Sequence, residues 1–298
     1  MSMSITEPGV VVVGVDGSPG SKVALRWAAR DAELRKTPLT LVHVVPTTSG
    51  PWRESSALPE WAHGQRDEGH RVLEEARGIV DECTTRGLDS VSCHMPSTHV
   101  VSALVELSKH ADLVVVGCLG TGTLRGRHLG SVSSGLAHYA HCPVAVIHDG
   151  ISLDIDTVAP VLVGIDGSAA SDSAAAIAFD EAARRKVGVE ALHSWREVGT
   201  FDMVVSFKGA GWPALHAKQE DVLAERLTPC IERYPDVPVR RLVVRGDAAA
   251  HLVDQSHSAQ LVVVGSHGSG GFAGMVLGSV GAAVVLLAKV PVIVARGR

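Results

Sequence analysis

The 298-residue sequence has few aromatic residues, 4% of the chain, and no paired cysteines. Its five cysteines are an odd number, and none belongs to a Cys-x-x-Cys pair. This usage excludes a disulfide framework and a paired-cysteine zinc site, and it is typical of a reducing compartment. The opening residues MSMSITEPG also lack the basic-then-apolar order of a signal peptide. We therefore expect a cytoplasmic protein.

The sequence also lacks an excess of positive charge. Lysine and arginine number 27 against 32 aspartates and glutamates, which gives a net charge of −5. A general nucleic-acid or anionic-membrane binder needs a basic face, so this balance argues against both classes. Residues 268–288 form a charge-free run long enough to cross a bilayer, but six of them are glycine. Because the equivalent segment of an internal repeat contains Arg125 and Arg127, we expect no membrane span.

The chain contains two copies of one pattern, about 150 residues apart. VVVGVDGS at 11–18 recurs as VLVGIDGS at 161–168, and LVVVGCLG at 113–120 recurs as LVVVGSHG at 261–268. Repeats of this length are whole domains, because solenoid units are much shorter. The sequence therefore predicts two tandem domains, residues 1–149 and 159–298, joined by a short linker.

Each half alternates apolar strands with amphipathic helices. In the first half the pattern predicts strands at Val10–Val15, Leu39–Val45, Val91–Met95, Leu113–Gly117 and Pro143–Ile147. It predicts helices at Ser21–Lys36, Pro59–Arg86, Val100–His110 and Ser131–His141. Five strands alternating with four helices indicate an α/β fold with a parallel, doubly wound sheet in each domain. We expect the strand order 3-2-1-4-5.

The ligand site of such a sheet lies beyond the carboxyl ends of the strands, where the strand order reverses. In the predicted order this point lies between strands 1 and 4. Strand 1 ends in Gly14-Val15-Asp16-Gly17, and strand 4 ends in Gly117-Cys118-Leu119-Gly120. We expect these two ends to border one crevice.

The segment after strand 4 has a glycine spacing suited to phosphate. It reads Gly117-x2-Gly120-x9-Gly130-Ser131, and the second half repeats it as Gly265-x2-Gly268-x9-Gly278-Ser279. Glycine lets a backbone approach a phosphate closely, and the N–H groups of the helix that follows favour an anion. A simpler interpretation stays open, in which the glycines only form a turn between strand and helix. Asp16 and Asp166 likewise either bind a nucleoside or only cap the following helix.

On these residues the chain resembles the universal stress protein family, specifically its ATP-binding, tandem-domain, actinobacterial members. The resemblance rests on the G-x2-G-x9-G-S motif preceded by the strand 1 aspartate, and it covers essentially the whole sequence. It implies that Asp16 and Asp166 contact the nucleoside and that the backbone of Val44 and Ser194 faces adenine. It implies one ATP site per half, with Mg²⁺ or Mn²⁺ bound through the phosphates.

The candidate site residues lie at equivalent positions of the repeat in both halves, except that Arg127 has no counterpart in the second list. In the first half they are Gly14, Asp16, Val44, Gly117, Gly120, Thr121, Gly122, Thr123, Arg127, Gly130, Ser131 and Val132. In the second half they are Gly164, Asp166, Ser194, Gly265, Gly268, Ser269, Gly270, Gly271, Gly278, Ser279 and Val280.

The family further implies dimerisation through the last strand. Pro143–Ile147 and Pro291–Ala295 are apolar edge-strand candidates, so the sequence predicts that the two halves pair as a pseudo-dimer. A homodimer of whole chains and an unknown protein partner stay open.

The glycine loops of the two halves differ in charge. The first contains Arg125, Arg127 and His128, whereas the second has no charged residue. Our hypothesis is that arginine holds the ATP phosphates in the first site, which then binds more tightly. The alternative is that these arginines are simply solvated.

No hydrolytic motif occurs in the sequence, and we assign no catalytic residue. G-x-S-x-G, H-E-x-x-H and paired-carboxylate patterns are absent. His43 and His193, at the end of strand 2 in each half, are predicted to be buried and hydrogen-bonded, and a role as a base is the alternative. We therefore expect an ATP-binding regulator or sensor in stress, hypoxia or growth arrest, with at most slow ATP hydrolysis. The alternatives are an interaction scaffold with vestigial sites and a slow ATPase or adenylate-handling enzyme.

Overall fold

A computed structural model of the chain describes residues 9–46, 58–84, 88, 90–120, 129–151, 158–195, 211–268 and 277–296. The chain divides into two compact units, the first ending at Leu153 and the second beginning at Asp154.

The first unit is a parallel five-stranded sheet with four helices among its described residues. Its strands are β1 (Val11–Gly14), β2 (Leu39–Val42), β3 (Val91–His94), β4 (Leu113–Gly117) and β5 (Val144–Ile147). Its helices are α1 (Pro19–Arg35), α2 (Leu58–Cys83), α3 (Val100–Leu107) and α4 (Ser131–Tyr139). The strand order is β3-β2-β1-β4-β5, which confirms the predicted doubly wound fold.

The second unit repeats this architecture. Its strands are β6 (Val161–Ile165), β7 (Val189–Trp195), β8 (Val239–Arg245), β9 (Leu261–Gly265) and β10 (Val292–Ala295). Its described helices are α5 (Ala169–Arg185), α6 (Gly211–Arg233), α7 (Ala248–Ser256) and α8 (Ser279–Leu287). The order β10-β9-β6-β7-β8 gives the same arrangement, with the first and fourth strands of the unit adjacent.

The core of each unit forms where the first helix covers the central strands. Val11, Val12 and Val13 of β1 are fully buried, as expected for a strand covered on both faces. Leu25 of α1 is 1% exposed, and complete burial of such a side chain contributes about 1.5–3 kcal/mol. The helix begins at Pro19, two residues before its predicted start at Ser21, because Ser18 caps it by accepting a 3.1 Å bond from the Ser21 N–H.

The second strand is shorter than predicted, and the reason bears on the site. The sequence indicated a strand over Leu39–Val45, but β2 ends at Val42, because its register partner Gly14 is the last residue of β1. Beyond Val42, the backbone N–H groups of His43 and Val45 bond on the β3 side. His43 N–H donates to the His94 carbonyl at 3.1 Å, and Val45 N–H donates to the Pro96 carbonyl at 3.0 Å.

The charge-free run at 268–288 is described at residue 268 and from residue 277 onward. In its described part, α8 covers only Ser279–Leu287. Across the residues that the structure describes, no helix is both long and apolar enough to cross a membrane.

Candidate functional site

A cavity of about 450 Å³ lies in the first unit at the carboxyl ends of β1 and β4. This is the position expected for a ligand, because the strand order reverses between these adjacent strands. The cavity wall contains every described residue that the sequence assigned to the first site. These residues are Gly14, Asp16, Val44, Gly117, Gly120, Gly130, Ser131 and Val132.

Asp16 connects the end of β1 to the loop that follows β4. Its Oδ1 accepts a 3.0 Å bond from the Ser18 N–H, so Asp16 shapes the turn before α1 while Ser18 caps the helix. Its Oδ2 faces the β4 loop, where a Cβ on Gly120 would lie only 2.8 Å away. Glycine at position 120 therefore lets the loop approach the carboxylate. The simpler interpretation of Asp16 as the helix cap is wrong, since Ser18 has that role.

Asp166 repeats this geometry in the second unit. Its Oδ1 accepts from the N–H of Ser168 at 3.0 Å and from the hydroxyl of Ser168 at 2.6 Å. A Cβ on Gly268 would lie 2.6 Å from Oδ2. Each aspartate thus accepts a hydrogen bond from the backbone N–H of the serine two positions later, and this bond positions its carboxylate without a ligand.

Close packing against α1 explains why residue 117 is a glycine. A Cβ at this position would lie 3.0 Å from the carbonyl carbon of Gly20 and 3.3 Å from the backbone nitrogen of Ser21. These atoms belong to the first turn of α1, which therefore lies directly against the end of β4. In the second unit a Cβ on Gly265 would meet the backbone of Ala170 at the same 3.0 Å. The spacing motif thus combines a strand–helix contact at its first glycine with a loop–carboxylate contact at its second.

The N-terminus of α4 has no side-chain cap and lines the cavity. Gly130 is its N-cap with φ −61° and ψ 156°, and no side chain bonds to the first turn. Ser133, whose hydroxyl donates to the Cys118 and Gly130 carbonyls at 3.0 Å, fixes the turn to the β4 loop. Ser131 and Val132 stand at the helix start and contribute to the cavity wall. The N–H groups and dipole of a helix start attract anions such as phosphate.

Val44 offers backbone groups on the side of the cavity. The N–H groups of His43 and Val45 donate toward the β3 side. Because strand residues alternate in direction, the N–H and carbonyl of Val44 are directed to the other side, beyond the end of β1. Val44 lines the cavity together with the apolar side chains of Val42 and Leu104. A flat aromatic base fits such a combination of apolar walls and backbone polar groups.

The described site residues of the second unit occupy equivalent places. Gly164 lies in β6, Asp166 follows β6, Gly265 ends β9, and Gly268 follows it. Gly278 is the N-cap of α8, again without a side-chain bond, and Ser279 and Val280 begin that helix. Ser194 lies in β7, and its hydroxyl donates to the Gly246 carbonyl at 3.0 Å. The adenine contact predicted for Ser194 would therefore use its backbone.

Several predicted residues lie outside the described part of the chain. They are Thr121, Gly122, Thr123 and Arg127 in the first half and Ser269, Gly270 and Gly271 in the second. Arg125 and His128 are also outside it, so the hypothesis of an arginine-assisted first site stays a prediction.

The structure adds cavity residues that the sequence did not single out. Ser133 is one, and its signal was its place two residues after the motif serine. Gln65 and Glu68 come from α2, whose register against the sheet no local pattern reveals. Cys118 is a further wall residue, and burial, helped by nearby Asp149, raises the pKa of its thiol to about 11. Such a thiol is a poor nucleophile at neutral pH, because the thiolate is the reactive form.

Comparison with known proteins now identifies the family. The model of the universal stress protein family matches residues 9–148 and 158–296. The chain belongs to the universal stress protein family. A universal stress protein of Mycobacterium tuberculosis strain H37Rv is 51% identical over 288 residues, which cover 96% of each chain. A universal stress protein of Mycolicibacterium smegmatis is 43% identical over 300 residues and covers both chains completely.

Solved structures agree on the fold. The crystal structure of a universal stress protein from Archaeoglobus fulgidus superimposes with a TM-score of 0.69 at 20% identity. The match covers 96% of this chain and 98% of that one. At 20% identity this similarity shows a shared fold.

Proposed function

We propose that this universal stress protein binds ATP in the crevice of each unit and acts as a nucleotide-dependent regulator. One observation carries the proposal: a carboxylate and an uncapped helix N-terminus line the same cavity at the switch point of the sheet. The 450 Å³ volume lies within the usual range for small-molecule sites, about 300–1,000 Å³.

The charges of the two groups assign the orientation of the nucleotide. The start of α4 favours the negative phosphates, whereas the Asp16 carboxylate repels them. A carboxylate accepts hydrogen bonds, so Asp16 fits the hydroxyl or amino groups of a nucleoside. The phosphates therefore lie at Gly130, Ser131 and Val132, and the nucleoside lies toward Asp16 and Val44.

The described residues suit a metal that arrives with the triphosphate. Among them, no three His, Cys, Asp or Glu side chains cluster closely enough to hold a metal ion. Mg²⁺ is commonly held by one or two carboxylates together with substrate phosphates. Asp16 and Glu68 are the described acidic residues of the cavity wall. Because Asp16 lies on the nucleoside side, the phosphates themselves would supply most of the ligands of such an ion. A bound Mg²⁺ or Mn²⁺ would neutralise part of the phosphate charge.

The first experiment measures nucleotide that accompanies the purified protein. The protein is isolated without added nucleotide and denatured, and released ATP is quantified against protein. About two ATP per chain supports a site in each unit, and about one supports inequivalent units. If none is released and a Mg-ATP titration shows no heat, the ATP proposal is wrong and an interaction scaffold becomes the leading function.

The second experiment tests the site itself with Asp16→Asn. Asparagine retains an oxygen that accepts from the Ser18 N–H, but it loses the charge and one acceptor. Hydrogen bonds to a charged group contribute about 1.5–3 kcal/mol, so we expect ATP binding at the first site to weaken about 10- to 100-fold. Asp166→Asn is the matched control, which should weaken the second site alone. Calorimetric isotherms of both variants identical to the unmodified protein would refute the assignment.

A further inference from the structure

The histidines that follow β2 and lie in β7 are fixed in the same way by one ring nitrogen. His43 Nδ1 lies 2.9 Å from the Val15 carbonyl, and His193 Nδ1 lies 2.8 Å from the Ile165 carbonyl. A carbonyl only accepts, so Nδ1 carries the proton in both rings. In the neutral imidazole this leaves Nε2 as a hydrogen-bond acceptor.

The two rings differ at Nε2. His193 Nε2 lies 3.0 Å from Oε1 of Gln219 on α6, and the residue is 8% exposed. For a neutral ring whose Nε2 accepts, the Gln219 amide is rotated so that its nitrogen takes this position and donates, because the oxygen and nitrogen of a glutamine side chain are assigned from the hydrogen bonds they make. The residue 150 positions earlier is Gly69 on α2, which has no side chain to offer. Among the residues that the structure describes, His43 Nε2 has no hydrogen-bond partner, and the half-buried ring lines the cavity.

The packing of α2 places Gly69 beside the imidazole ring of His43. A Cβ at Gly69 would lie 2.9 Å from His43 Cδ2, 3.4 Å from His43 Nε2 and 2.7 Å from the sulfur of Met95, so the Cδ2–Nε2 edge of the ring faces this glycine. Nδ1 is covered by the Val15 carbonyl. Because residue 69 has no side chain, nothing at this position occupies the space beside Nε2, and the ring lines the cavity.

We propose that His43 Nε2 contacts the ligand in the first unit, whereas His193 makes no such contact in the second. This inference rests on the proposed nucleotide function. Nε2 of the neutral ring accepts a hydrogen bond, and ionised phosphate oxygens have no proton to donate. Its partner is therefore an O–H or N–H group of the nucleoside, either a ribose hydroxyl or the amino group of adenine. His43 precedes Val44, the residue that offers its backbone on the nucleoside side, which agrees with this partner.

The test uses His43→Asn, with His193→Asn as the matched control. Asparagine places an N–H donor near the position of Nδ1, so the bond to the Val15 carbonyl is retained while Nε2 is removed. The first site is measured by Mg-ATP calorimetry in an Asp166→Asn background, and the second in an Asp16→Asn background. We expect His43→Asn to weaken the first site about tenfold and His193→Asn to change the second less than twofold.

Two analogues identify the donor. If a ribose hydroxyl donates, 2′,3′-dideoxy-ATP, which lacks both hydroxyls, shows no further loss on His43→Asn. If the adenine amino group donates, inosine triphosphate shows none, because it lacks that group. Loss of equal size with ATP and both analogues would assign the contact to neither group and would overturn the proposal.

Nitrogen-15 spectra of the unmodified protein provide a readout that does not depend on a variant folding. ATP should shift the Nε2 resonance of His43 and leave that of His193 in place. ATP binding that leaves His43 Nε2 unshifted, or equal weakening by both asparagine variants, would overturn this inference while the nucleotide function stands. If the unmodified protein binds no nucleotide, the proposed function fails first and this inference fails with it.

Discussion

Replacing Gly117 by alanine separates two reasons for a glycine at the end of β4. A new Cβ would lie 3.0 Å and 3.1 Å from the carbonyl carbon and oxygen of Gly20, and 3.3 Å from the Ser21 nitrogen. All three are backbone atoms at the start of α1, so either strand or helix has to shift by a few tenths of an ångström. The steric reason therefore predicts a loss of stability even without ligand.

The size of the effect follows from the cost of overpacking. Extra methyl groups in a well-packed interior typically cost about 1–3 kcal/mol. For a unit of this size each kcal/mol lowers the melting temperature by about 2–4 °C. Gly117→Ala should therefore melt at a lower temperature, as followed by circular dichroism and urea unfolding of the nucleotide-free protein. Gly265→Ala, whose Cβ would meet Ala170 at 3.0 Å, should do the same in the second unit.

Gly78→Ala is the matched control for this experiment. Gly78 lies on the exposed side of α2, and a Cβ there would meet no atom within 4 Å. Alanine in a helix interior is favoured over glycine by about 0.5–1 kcal/mol, so this variant should be slightly more stable. If Gly117→Ala unfolds at the same urea concentration as the unmodified protein, the packing argument is wrong. Weaker ATP binding without loss of stability would instead assign Gly117 to the approach of the ligand.

Two further predictions concern buried groups. Burial and a nearby aspartate raise the pKa of Cys118 to about 11, so Ellman's reagent at pH 8 should label exposed Cys93 first and Cys118 only after unfolding. Equal labelling rates in peptide maps of the folded protein would contradict this. Glu190 is 6% exposed and bonds the Arg240 guanidinium at 2.6 Å, so Glu190→Ala should cost about 1–2 kcal/mol in urea unfolding. Glu106→Ala, which removes an exposed carboxylate, is the control and should leave the midpoint of urea unfolding unchanged. If Glu190→Ala also leaves this midpoint unchanged, the buried Glu190 carboxylate does not stabilise the protein.

Much of the fold is readable in the sequence because buried parallel strands have a strong local signal. The continuous apolar run of β4 was predicted with its observed ends, Leu113–Gly117. The alternation of strands and helices predicts the parallel sheet, and the expected strand order 3-2-1-4-5 is the one observed in each unit. The end of β2 at Val42 was not predictable in this way, because it depends on where β1 ends beside it.

The candidate site was also predictable only where its features are local in the sequence. The place of Asp16 after β1 and the glycine spacing after β4 are local features, and the structure brings them together in one cavity. Local patterns left open whether Asp16 has a capping role, and the structure assigns the cap of α1 to Ser18. They did not show that the absent side chain of Gly117 makes room for the first turn of another element.

The sequence by itself therefore determined the duplication, the alternating parallel fold and the strand ends at which a ligand is expected. Only the tertiary structure decided which polar atoms are already bonded and which face the cavity. His43 and His193 occupy equivalent positions of the repeat, yet Gln219 bonds one ring, while the other lies against Gly69 and lines the cavity. The difference lies in the residue that a distant helix places beside the ring. Such contacts between segments far apart in the chain leave no periodic signal within either segment.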